Sequence, residues 1–167
     1  PPMHGHCTCG QIRYRLTSKP LFVHCCHCRW CQRETGTVHA LNAMIEADRV
    51  TVLGAEPELV DTPSASGYGQ KFARCPKCRI ALWSNYAGAG PLIRFVRVGT
   101  LDLPDHLPPD IHIFTASRQP WVVIPPGTPA VPTPARIDMI TTVTCWPSVR
   151  STPNTWARKS TVTPSKR

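Results

Sequence analysis

Between positions 11 and 16 apolar and polar side chains alternate. Ile12, Tyr14 and Leu16 fall on one face and Gln11, Arg13 and Arg15 on the other, the two-residue period of a half-buried β-strand. Apolar runs of strand length recur at 38–45, 49–53, 70–74, 80–83 and 92–98. The last is apolar on both faces, as expected of a strand covered on both sides and central in its sheet. Pro/Gly clusters at 87–91 and 107–109 punctuate the chain as loops. The pattern predicts a mostly-β domain of short strands with one or two helical turns.

Composition narrows this further. The chain has 167 residues, the size of one hydrophobic core. It carries 19 prolines, about twice the usual share, and only one proline-free window, 21–56, exceeds 20 residues, which excludes helical bundles and coiled coils. No stretch approaches the roughly 18 apolar residues of a membrane span, and positions 1–10 lack a basic-then-apolar leader. The expectation is a soluble, intracellular protein located in the cytoplasm, with no membrane partner.

The formal charge of +9 points to nucleic acid until it is divided along the chain. Residues 1–132 hold 13 basic and 9 acidic side chains, whereas 133–167 hold 6 and 1. That last segment also has eight threonines, four prolines and no sustained apolar period. Two regions are therefore expected: a folded domain over 1–132 and a basic Thr/Pro-rich tail of low structural content over 133–167. The domain shows no basic stripe interleaved with aromatics, so nucleic acid is not its expected partner.

Eight of the nine cysteines fall in three groups: Cys7 and Cys9; Cys25, Cys26, Cys28 and Cys31; and Cys75 and Cys78. Such spacing suits metal ligation, because a C-x-x-C knuckle lets two thiolates converge on one zinc while backbone N–H groups bond the sulfurs. Cys75 and Cys78 need a partner pair to close a tetrahedral site, and Cys7 and Cys9 are the natural one. Cys26, Cys28 and Cys31 then form a three-thiolate set with a fourth position for water or substrate, the arrangement of a catalytic zinc. Two alternatives stand beside this reading. Cys75 and Cys78 could be a redox pair, and His24, His27 or Cys25 could fill the fourth position of a second closed site. Cys25 and Cys145 are expected to be unliganded. Counting seven thiolates and two zinc ions lowers the domain's net charge from +4 to +1, so the basic signal belongs to the tail.

In their order along the chain, Gly5-His6-Cys7-Thr8-Cys9-Gly10, Cys26-His27-Cys28-Arg29-Trp30-Cys31-Gln32-Arg33, Arg74-Cys75-Pro76-Lys77-Cys78 and the stretch 113–121 resemble the glutathione-dependent formaldehyde-activating enzyme family, also called centromere protein V-like. The resemblance covers about residues 4–131. It implies a β-tent zinc fold of short antiparallel strands, with Cys7, Cys9, Cys75 and Cys78 on a structural zinc and Cys26, Cys28 and Cys31 on a catalytic one. It also implies a carbon–sulfur lyase that joins a thiol, glutathione or a similar one, to formaldehyde or another small carbonyl. After Val131 the chain departs from the family, whose members continue with an acidic, tyrosine-containing ending.

A peptidic thiol needs cations for its carboxylates and backbone donors for its amides. Arg29, Arg33, Asn85, Tyr86 and the glycine loop at Gly88 are the candidates, with turn and solvated roles as their ordinary alternatives. His27 and His39 are possible proton carriers, though a structural role is the commoner one, and Trp83 and Trp121 are expected in the core. The rival class is a binding module in which both zincs are structural and the tail engages an acidic partner.

Overall fold

The computed structural model describes residues 2–64 and 66–133. Apart from Thr133, the expected tail, with Cys145, lies outside the described residues. In chain order the elements are β1 (Met3–His6), β2 (Arg13–Leu16), β3 (Phe22–Cys26), α1 (Arg29–Thr35), β4 (Ala40–Glu46), β5 (Val50–Val52), β6 (Glu58–Thr62), β7 (Gln70–Arg74), β8 (Ala81–Tyr86), β9 (Ile93–Arg97), β10 (Ile111–Ile113) and β11 (Ala130–Val131). The described chain is therefore mostly β, with one seven-residue helix and a few 3-10 turns.

Two sheets form. The smaller is antiparallel in the order β1-β2-β5, and the larger runs β11-β10-β3-β4-β9-β8-β7-β6. The strand predicted to be central, β9, lies between β4 and β8 inside the larger sheet. Not every pairing is antiparallel as expected: β10 runs parallel to both β3 and β11. Parallel neighbours need a long connection, and the chain travels from residue 26 to residue 111 before β10 returns beside β3.

The alternation at 11–16 has the predicted consequence. Ile12, Tyr14 and Leu16 are fully buried and join Val23, Ala43, Ile45, Leu82, Trp83, Val96 and Val98 in one cluster. Each such aliphatic side chain contributes about 1.5–3 kcal/mol on burial. Trp83 meets Tyr14 edge-on at 5.5 Å. Gly5 permits the close passage of β1, since a Cβ there would lie 2.6 Å from Tyr14 Cζ and 2.7 Å from the Thr100 carbonyl. Trp121, by contrast, is 70% exposed, a departure from its expected core position. It sits in a turn outside any strand, where Val122 N–H bonds the Gln119 carbonyl at 3.0 Å, so no sheet face carries it inward. No helix among the described residues is long and apolar enough to cross a membrane.

Candidate functional site

The four-thiol group is built by two loops. Cys7 and Cys9 lie in the turn between β1 and β2, closed by Gly10 N–H on the Cys7 carbonyl at 2.9 Å with Gly10 at φ +73°. Cys75 and Cys78 lie in the turn between β7 and β8, closed by Arg79 N–H on the Cys75 carbonyl at 2.9 Å. The sheets bring these turns together, 66 residues apart, so that Cys9 Sγ is 3.5 Å from Cys7 Sγ and 3.6 Å from Cys75 Sγ. Tetrahedral zinc with S at about 2.3 Å separates its sulfurs by roughly 3.8 Å, so the set fits that ion with little adjustment. Backbone N–H groups of Ile12 and Cys78 already point at Cys7 Sγ (3.3 Å) and Cys75 Sγ (3.5 Å). Cys7 and Cys75 are fully buried and Cys9 is exposed, which places the group on the rim of the core.

The three-thiol group assembles at the start of α1. Cys26 ends β3, Cys28 is the helix N-cap with extended backbone, and Cys31 lies in the first turn. Cys28 Sγ accepts the Cys31 N–H at 3.3 Å, the place a serine or aspartate oxygen takes in an ordinary cap. The left-handed Gly36 ends the helix one turn later. Hydrogen bonds from Cys26 and Cys31 hold the Cys28 thiol down at about 2 against its burial, with help from the Cys31 and Trp30 N–H groups. The same contacts, with burial, push Cys26 above the usual thiol range. The three sulfurs lie within 4.8 Å of one another, and no fourth Cys, His, Asp or Glu atom among the described residues joins them. Three soft donors without a fourth suit zinc with an exchangeable position.

A third group was not foreseen. Cys25 and His27 point to the side of β3 opposite Cys26, and the parallel register sets His112 of β10 beside Cys25. All three are buried. His27 Nε2 and His112 Nδ1 are 2.8 Å apart, and that distance plus two ring radii accounts for the whole 5.1 Å between centroids. The nitrogens therefore face one another head-on. Two imidazole nitrogens on a tetrahedral zinc stand roughly 3.3 Å apart, so at 2.8 Å the two rings are closer than zinc ligands and form a hydrogen-bonded pair. Its only sequence signal was the period-2 spacing of Cys25 and His27 and the alternation Ile111-His112-Ile113. The Cys25 thiol, pushed up to about 12 by burial, stays a packed neutral group, and His27 is held down at about 4 by burial.

Gln32 locks this region: its amide donates to the carbonyls of His27 (2.7 Å) and Ser117 (2.9 Å), and its Oε1 accepts from Arg29 (2.8 Å) and Gln119 (3.0 Å). Arg29 and Arg33 are exposed on α1, within the helix that carries Cys31. Asn85 and Gly88 are not brought to the thiols. The Asn85 amide donates to the Ile93 carbonyl at 2.7 Å, and Ile93 opposes Glu46 at the far end of β4 from Ala40, the cross-strand partner of Cys26. Tyr86 packs in the cluster of Met44, Ile93 and Phe95, at that same end. A cavity of about 390 Å³ instead opens beside Ala40, with His39 and Arg97 on its wall.

Comparison with known proteins bears on this arrangement. The family described as glutathione-dependent formaldehyde-activating enzyme matches residues 2–117, a span that holds all seven cysteines of the two sulfur groups. The chain belongs to this family. Within the formaldehyde-activating enzyme family, a protein of Halomonas elongata named "Putative glutathione-dependent formaldehyde-activating enzyme" is 30% identical over 128 residues, 73% of this chain and 80% of that one. A crystal structure of a Rhodobacter sphaeroides protein is similar at 22% identity and a TM-score of 0.46, over 60% of this chain and 88% of that one.

Proposed function

We propose that this member of the glutathione-dependent formaldehyde-activating enzyme family is a zinc-dependent carbon–sulfur lyase. It joins glutathione or a similar thiol to formaldehyde or another small carbonyl, with Cys7, Cys9, Cys75 and Cys78 as structural zinc ligands and Cys26, Cys28 and Cys31 as catalytic ones. The observation that carries the reading is the second sulfur set: three convergent thiols, two of them only half-buried, at a helix N-terminus with no fourth protein ligand.

When bound there, zinc supplies Lewis acidity that favours the ionised form of an incoming thiol. The chain's own part is to hold three sulfurs on one side and leave the other to substrate. Cys26 is fixed by the β3–β4 register, Cys28 by its capping bond to Cys31, and Cys31 by the helix. In the reaction the substrate sulfur forms a bond to the carbonyl carbon, the C=O π pair moves to oxygen, and the proton lost from the thiol ends on that oxygen. Nothing is oxidised or reduced. Formaldehyde consumption with a panel of thiols, corrected for the uncatalysed reaction, tests this: wild type is expected to accelerate it and Cys28→Ala to fall to the background rate. Equal rates for the two proteins overturn the assignment.

A further inference from the structure

The cavity of about 390 Å³ lies in the size range of small-molecule sites and carries more positive than negative charge, with Arg74, Arg79 and Arg97 on its lining against Glu34. Two of its walls continue the three-thiol site. Glu34 and Thr35 stand three and four residues after Cys31 and so share its helix face, and Ala40 is the cross-strand partner of Cys26. The arginines differ in how they are partnered. Arg74 pairs with Glu34, and Arg79 with Glu58. Half-buried Arg97 has no carboxylate partner among the described residues, and its guanidinium donates only to the neutral Asn42 Oδ1, at 2.6 Å. Asn42 is in turn held by His24, 3.1 Å away, so the guanidinium is fixed in place. Cys31, Glu34 and Cys26 lie within its electrostatic reach, but Glu34 is ion-paired with Arg74.

A permanently charged, partly desolvated guanidinium on a cavity wall that makes no direct ion pair keeps its planar donor face for a carboxylate. We propose that Arg97 is a specificity-determining residue of the thiol site, receiving a carboxylate of the substrate in this cavity while its sulfur lies at Cys26, Cys28 and Cys31. The proposal rests on the carbon–sulfur reading of that site and adds a preference: acidic peptidic thiols over neutral ones.

Two readouts on the zinc-loaded full chain separate the proposal from the reading beneath it. The first is calorimetric binding of S-methylglutathione, which keeps both carboxylates and has no thiol to ionise. Arg97→Gln is expected to weaken it about 10- to 100-fold, the range for loss of a charge-assisted hydrogen bond, and Arg97→Lys by less. Equal binding to wild type and the Gln variant, or none to wild type, overturns the subsite. The second is turnover. Arg97→Gln is expected to raise KM for glutathione by the same factor and to leave KM for 2-mercaptoethanol within about twofold. An equal effect on both thiols identifies Arg97 as a counter-charge to the sulfurs and also overturns the subsite. Wild type that accelerates no thiol overturns the carbon–sulfur reading, and the calorimetry then decides the subsite alone. Zinc content is measured on each variant; if Arg97→Gln loses metal, the comparison is made with Arg97→Lys, where undiminished binding and KM count against the proposal.

Discussion

Tyr14 shows how much one position in the alternating strand can decide. Its ring is fully buried against Trp83, its hydroxyl is 2.6 Å from Thr100 Oγ1, and burial raises the phenol well above its ordinary value. Because the folded value lies above the unfolded one near 10, this group's full contribution to stability is present below about pH 10. It is lost as pH rises beyond that, at up to about 1.4 kcal/mol per pH unit. Tyr14→Phe removes one hydrogen bond and should cost about 1 kcal/mol at pH 8. Lacking the ionisation, it should become the more stable of the two proteins above about pH 11. Denaturant midpoints for both proteins at pH 8, 10 and 11.5 check this, and a gap that does not change with pH refutes it.

At the scale of elements, α1 is the piece on which two demands meet. Its N-cap is a sulfur, so Cys28 is at once a helix-stabilising acceptor and a member of the three-thiol set. The two roles are separable. Compared metal-free, Cys28→Ser keeps a capping oxygen and should melt close to wild type, while Cys28→Ala should lose about 1 kcal/mol. Both should lose activity and the second metal equally, because a neutral hydroxyl is a poor zinc ligand. Melting curves and zinc content on the three proteins distinguish this from a purely structural Cys28, for which metal content would not change. The elements legible in the sequence were those with a clean period: β2, β4, β5, β7 and β9 lie at or within two residues of the predicted runs, and β8 runs three residues past its predicted end. β3 was not legible. It is buried along most of its length, and its His-Cys-Cys run hides both the apolar period and the chemistry within one short strand. β6 and β10 are short and either exposed or separated from their partners by long connections, so local pattern carries little of their signal.

Across the whole molecule, the two sulfur groups differ in how they are tied to the fold. The four-thiol group bridges the β1–β2 and β7–β8 turns and adjoins the main core through Cys7 and Cys75, whereas the three-thiol group is local to β3 and α1. Metal removal should follow that difference. A mild chelator is expected to take one zinc per chain, with activity, while far-ultraviolet circular dichroism stays unchanged. The zinc of the four-thiol group should leave only with loss of the folded signal. Release of both ions in a single step, with unfolding, contradicts this division.

The sequence by itself determined the fold class and the three local thiol groups, because both depend on local period and spacing, which chain geometry converts directly into faces and knuckles; that the Cys7/Cys9 and Cys75/Cys78 pairs meet in one set of four was decided by the sheets. It also located the surplus charge in the last fifth of the chain. Tertiary structure decided what lies next to what. It opposed His27 and His112 head-on, turned Asn85 to the far end of β4 and β9 from the thiols, and set Arg97 within electrostatic reach of Cys26 and Cys31 with no direct ion pair among the described residues. Those are relations between strands distant in sequence, fixed by sheet order and register, which no local pattern encodes.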